Sequence, residues 1–115
     1  NGSVNAVNVL SRDGAIVDGG DSAVEITAEN AGAQVTLTAA AGIGDGNALE
    51  TSVAHLVARV TATGNMEINE ANSIELRDLS TQNGSIRVVA AGTMTATLVD
   101  SSATQNNTND IELVT

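Results

Sequence analysis

Residues 66–76 contain Met66-Glu67-Ile68 and, eight residues after its start, Ile74-Glu75-Leu76. Each is an apolar–polar–apolar triplet. Alternation of period two sends both apolar side chains to one face and the middle residue to the other. The same unit stands at Val7-Asn8-Val9, Val24-Glu25-Ile26, Val35-Thr36-Leu37, Ile86-Arg87-Val88 and Ile111-Glu112-Leu113, flanked by Asn, Gly, Ser, Thr or Asp. The middle residues suit a wetted face. From 7 to 111 the successive starts are 17, 11, 31, 8, 12 and 25 residues apart. Three of these gaps fall in the range of short strands joined by tight turns. The gaps of 25 and 31 are wide enough to hold further strands that do not match the triplet, and 17 fits less well.

Turn formers lie between the triplets: Asp13-Gly14, Asp18-Gly19-Gly20-Asp21, Asn30-Ala31-Gly32, Gly42-Ile43-Gly44-Asp45-Gly46-Asn47, Gly64-Asn65, Asn83-Gly84 and Gln105-Asn106-Asn107-Thr108-Asn109. Gly and Asn accept the positive φ of sharp corners, and Asp and Asn bond their own backbone. The chain has no Pro, so every backbone N–H after the first residue can join a ladder.

One segment reads two ways. Leu49, Val53, Leu56, Val57 and Val60 fall at helical spacing, with Asn47 and Glu50 as a capping box and Gly64 as a stop. The same stretch also reads as two strands, Leu49, Thr51 and Val53 on one face and then Leu56, Ala58 and Val60. Its density of Val and Thr favours the strands.

Composition narrows the function. The 115 residues carry 4 Lys+Arg against 14 Asp+Glu, a net charge of −10, and contain no Cys, Phe, Trp or Tyr. Disulfide frameworks, thiolate zinc sites and cysteine nucleophiles are therefore absent from these residues. An acidic chain without aromatic rings repels phosphate and offers no base a stacking platform, so no nucleic-acid partner is expected. Apolar runs of a few residues rule out a helical membrane span, and no membrane insertion is expected. If the protein is exported, its signal is expected to lie outside these 115 residues. Thirteen Val, seven Ile, eight Leu and two Met supply the core. Small aliphatic contacts repeated at regular intervals make the kind of core a solenoid has.

The run Gly42-Ile43-Gly44-Asp45-Gly46-Asn47-Ala48-Leu49-Glu50-Thr51-Ser52-Val53, followed by Leu56, Ala58 and Gly64-Asn65-Met66-Glu67-Ile68, resembles the repeats of filamentous-haemagglutinin-like proteins, long surface proteins of Gram-negative bacteria. Ala41-Gly42 and Thr63-Gly64 stand where those repeats usually have Gly pairs, and Ala48 where they usually have Pro. The clear likeness covers residues 35–88. It implies a right-handed parallel β-helix, secretion to the cell surface, and a stalk or adhesive role.

Few residues point to chemistry. His55 is the single His, with no motif supplying a nucleophile beside it, and reads as structural or solvent-facing. Gly42-Ile43-Gly44-Asp45-Gly46 looks like a phosphate loop, but the chain has no Lys, and a corner explains it better. Asp13, Asp18 and Asp21 share one Gly-rich stretch and Asp45 lies in another, the only feature suited to a hard cation such as Ca²⁺. The nonapeptide of calcium β-rolls does not recur, so turn-forming Asp on an acidic surface is the plainer account. Arg12, Arg59, Arg77 and Arg87 could pair with carboxylates on neighbouring turns. Asn1-Gly2-Ser3, Asn83-Gly84-Ser85 and Asn106-Asn107-Thr108 fit the N-glycosylation pattern and read equally as turns. A pectate-lyase-like enzyme would need a cleft built over many turns, and this chain has length for about four to six.

The expectation is one all-β domain over residues 1–115, a segment of right-handed parallel β-helix (β-solenoid). No catalytic, cofactor-binding or metal-ligating residue is assigned, and no cofactor or enzymatic activity is expected. The ends join smoothly through Leu113-Val114-Thr115 into Asn1-Gly2-Ser3-Val4, which suggests one period of a tandem array or a stacking subunit. The expected partner is therefore another copy of itself, end to end, in an extracellular or cell-surface filament or stalk. Two alternatives remain: an adhesin repeat that touches host or cell-surface glycans, with or without Ca²⁺ stabilisation, and, for the fold, a β-sandwich.

Overall fold

A computed structural model describes residues 6–101 and 109–115. Among these residues there are eleven strands and no helix. They are β1 (Val7–Ser11), β2 (Ile26–Ala28), β3 (Gln34–Ala39), β4 (Leu49–Val53), β5 (His55–Thr63), β6 (Met66–Glu70), β7 (Ile74–Asn83), β8 (Ile86–Ala90), β9 (Met94–Ala96), β10 (Val99–Asp100) and β11 (Ile111–Val114).

Two sheets alternate along the chain. One runs β1-β3-β5-β7-β10, with β9 also against β7, and the other runs β11-β8-β6-β4-β2. Every pairing is parallel. Each pass through one sheet and then the other makes one coil, and about four turns stack into a β-solenoid. A β-sandwich would pair its strands antiparallel, so that alternative falls.

The registers turn the triplets into columns. In the first sheet Val7, Val35, Leu56, Leu76 and Ala96 stand one above another. In the second, Leu49, Ile68, Val88 and Leu113 do the same. A third column, Ile16–Ile43–Met66–Ile86–Ile111, runs partly through isolated bridges at Ile43. Side chains of these columns fill the interior, and the middle residues of the triplets lie outside. The interior is therefore a set of continuous aliphatic rods, which needs no aromatic ring.

Between Leu49 and Val60 the strand reading holds. Leu49, Thr51 and Val53 point inward from β4, and Leu56, Ala58 and Val60 inward from β5. The wide gaps also hide strands: β4 and β5 in the first, β9 and β10 in the second. The register shifts between Leu56 and Val57, where β7 has Arg77 as an extra residue, so inward positions resume at Leu79.

Corners occur where Gly and Asn predicted them. Gly32 N–H and Ala33 N–H bond back to Asn30, and Gly44 turns at φ 61. At the next corner the backbone of one coil touches the next. A Cβ on Gly84 would lie 1.9 Å from the Gly64 carbonyl oxygen, so only glycine fits there. Of the Gln105–Asn109 turn, residues 105–108 lie outside the described residues, as do the patterns at Asn1 and Asn106.

Candidate functional site

A polar ladder climbs one corner of the solenoid. Asp45 accepts the Asn65 backbone N–H and side-chain amide, both at 3.1 Å. Asn65 Oδ1 accepts the Ser85 N–H at 2.9 Å, and Ser85 Oγ accepts the Asp110 N–H at 3.0 Å. Each coil thus caps a donor on the next. This is why small hydrogen-bonding residues recur there, and the ladder ties successive coils in register.

Inside, among the described residues, one ionisable side chain is buried. β6 alternates Met66, Ile68, Glu70 toward the core, and Glu70 is only 3% exposed. Its carboxylate accepts the Thr51 hydroxyl at 2.8 Å and the backbone N–H groups of Val53 and Asn72 at 3.1 Å. Those donors sit where two successive coils leave the sheet. Burial pushes the Glu70 carboxyl above its ordinary value despite these bonds, and Glu29 nearby adds to the rise. Beside it, Asn72 donates to Ser52 Oγ at 2.8 Å and to Glu29 at 3.0 Å, and Ser52 also donates to Glu29.

On the outer face of the first sheet, His55 Nδ1 lies 3.0 Å from Glu75 and its Nε2 lies 2.7 Å from the Ala31 carbonyl oxygen. Arg77 bonds Glu75 at 2.6 Å and Gln34, two coils away, at 3.0 Å. The Arg77 guanidinium holds the Glu75 carboxyl below its ordinary value, with His55 adding to the effect. Arg59 pairs with Asp78 and Arg87 with Glu112, each across neighbouring coils. Arg77 pairs within its own strand, and Arg12 is exposed on the first coil. Gly42–Asn47 forms a corner in which Ile43 bridges both neighbouring coils.

The four aspartates singled out by sequence do not converge. Asp13, Asp21 and Asp45 are exposed, Asp21 closing its own turn by accepting the Ala23 N–H at 2.7 Å. Asp18 instead meets Glu25 and Glu50, with one carboxylate oxygen of each within 4.8 Å of the others. Sequence reading missed the two glutamates. The signal lay in the register, since Ile26 pairs with Thr51 and so sets Glu25 beside Glu50.

The two ends of the stack differ from its flanks. Among the described residues the exposed large hydrophobics are Val9, Leu10, Val17, Val24, Leu98, Ile111, Leu113 and Val114. All lie on the first coil or the last. Within one coil-to-coil pairing, Ile86 and Val88 are 1% and 0% exposed, while Ile111 and Leu113 directly above them are 45% and 39% exposed. No protein-family model, curated protein or solved structure matches the chain.

Proposed function

We propose that this chain is a structural element of an extracellular bacterial filament, stalk or giant surface protein, stacking end to end through its solenoid edges. The observation that carries the reading is the confinement of exposed aliphatic side chains to the terminal coils. Among the described residues those coils continue the buried columns and leave one edge each of β1, β2 and β11 without a partner strand, and such edges recruit further strands. Another coil of the same kind is the surface that fits them: it brings matching aliphatic columns at the strand spacing of about 4.8 Å. The likeness of residues 35–88 to filamentous-haemagglutinin-like repeats points the same way.

Sedimentation over a wide concentration range tests the proposal, together with negative-stain microscopy of the concentrated sample. Linear oligomers that grow with concentration are expected, and Ile111→Glu with Leu113→Glu should return the protein to monomer. A wild-type chain that stays monomeric at high concentration, with its terminal strands ordered, would overturn the reading.

A further inference from the structure

We infer that the stack is polar: the last coil of one copy seats on the first coil of the next, with β10 beside β1 and Val99 against Val9. This rests on the stacking proposed above and adds its direction and register. The column Val9, Leu37, Ala58, Leu79 and Val99 runs unbroken from the first coil to the last. Its three middle members are fully buried, whereas Val9 is 36% exposed and Val99 is half-buried. In the second sheet the column of Leu49, Ile68 and Val88 ends on the exposed Leu113. Ile26 pairs with Thr51, so the exposed Val24 lies over Leu49 and is the other end of that column. A copy added head to tail lays Val9 on Val99 and Val24 on Leu113. Both columns then run on at the strand spacing of about 4.8 Å, and both sheets stay parallel.

Charge separates this arrangement from its two-fold alternatives. Of the four Arg, only Arg12 lies on a terminal coil. The first coil also carries Asp13, Asp18, Asp21, Glu25 and Glu29, and the last carries Asp100, Asp110 and Glu112 with no Arg or Lys. Two last coils face to face would oppose carboxylates alone, and two first coils would oppose five carboxylates to five. Head to tail, Leu10 follows Asp100 in the outward column Leu10, Thr38, Arg59, Ser80 and Asp100. That sets Arg12 two residues along from the carboxylate. Arg59 spans the same offset of two when it reaches Asp78 from its place beside Ser80. A contact between unlike faces repeats without closing and yields a filament, whereas a two-fold contact stops at a dimer.

The chain has no Cys, so introduced disulfides report the contact. Val9→Cys and ¹⁵N-labelled Val99→Cys are mixed at a concentration where wild type sediments as oligomers, then exposed to oxidised glutathione. Column neighbours one strand apart fall within the Cα separation of about 4.4–6.8 Å that a disulfide needs. Mass after denaturation without reductant should show the mixed dimer in clear excess over either homodimer. The doubly substituted chain should give a ladder of covalent multimers. Val17→Cys, exposed on the first coil outside β1, should not join to Val99→Cys. Homodimers as the main product, a double variant that stops at dimers, or equal joining through Val17→Cys would overturn the polarity and register while leaving stacking in place. A wild-type chain that forms no oligomer at any concentration would overturn the stacking itself, and this inference with it.

Discussion

Glu70 stands directly over Thr51 in an inward-facing column, one coil above it, and accepts a hydrogen bond from its hydroxyl at 2.8 Å. A carboxylate and a hydroxyl occupy core positions where the neighbouring coils place Ile26 and Ala90. The pair therefore closes a corner: the same carboxylate holds the N–H groups through which two coils leave the sheet.

Glu70→Ala should cost about 2–4 kcal/mol, because it strands two backbone donors in a buried site. Glu70→Gln keeps one acceptor oxygen and lets its amide donate to Thr51, so it should fold with far smaller loss. Chemical denaturation followed by circular dichroism checks both.

The same residue gives a pH signature. Its folded pKa is raised above the ordinary 4.5, so the folded state takes up a proton before the unfolded chain does. The stability of wild type relative to Glu70→Gln should therefore rise as pH falls from the folded pKa toward 4.5, then level off. Glu75 works in the opposite sense. Its folded pKa is lowered, so its contribution is present above 4.5 and is lost as pH falls through the folded value. Denaturation midpoints of wild type, Glu70→Gln and Glu75→Gln across this range separate the two.

Gly84→Ala should destabilise by about 2–3 kcal/mol, since the added methyl meets the backbone carbonyl of Gly64 and the coils must part locally. An adjacent-corner control, Gly46→Ala, tests strain alone: Gly46 turns at φ 84 with open space around it, and it should cost about 1 kcal/mol. Thermal melts rank the two, and equal losses would contradict the close coil contact.

Position in the stack should outweigh residue type. Leu76→Ala removes a fully buried side chain from the middle of a column and should cost about 2–5 kcal/mol. Leu98→Ala, on the exposed last coil, should stay within about 0.5 kcal/mol in the monomer.

The sequence carried the columns because the triplets are local. Ile74-Glu75-Leu76 announces two inward residues by itself, and its partners then follow from repetition. Glu70 was legible only as the next step of the Met66, Ile68 alternation, where its charge argued for the outside. Its place in the core depends on donors from residues 51, 53 and 72, which no local pattern brings together. Glu50 was hidden in the same way: its nearness to Asp18 and Glu25 is set by coil register, and coil length varies. Val7 and Val35 are 28 residues apart, Leu56 and Leu76 only 20. A search for clustered Asp within one loop could not find a group shared between two coils.

The parallel ladders have a mechanical consequence. Every bond between coils points along the axis of the stack, so tension applied along that axis loads the ladders in the direction in which they open. A coil of 20 residues, such as that from Leu56 to Leu76, would release about 60–70 Å of contour when it peels away. The molecule would lengthen stepwise under pull instead of snapping, each lost layer acting as a spent shock absorber.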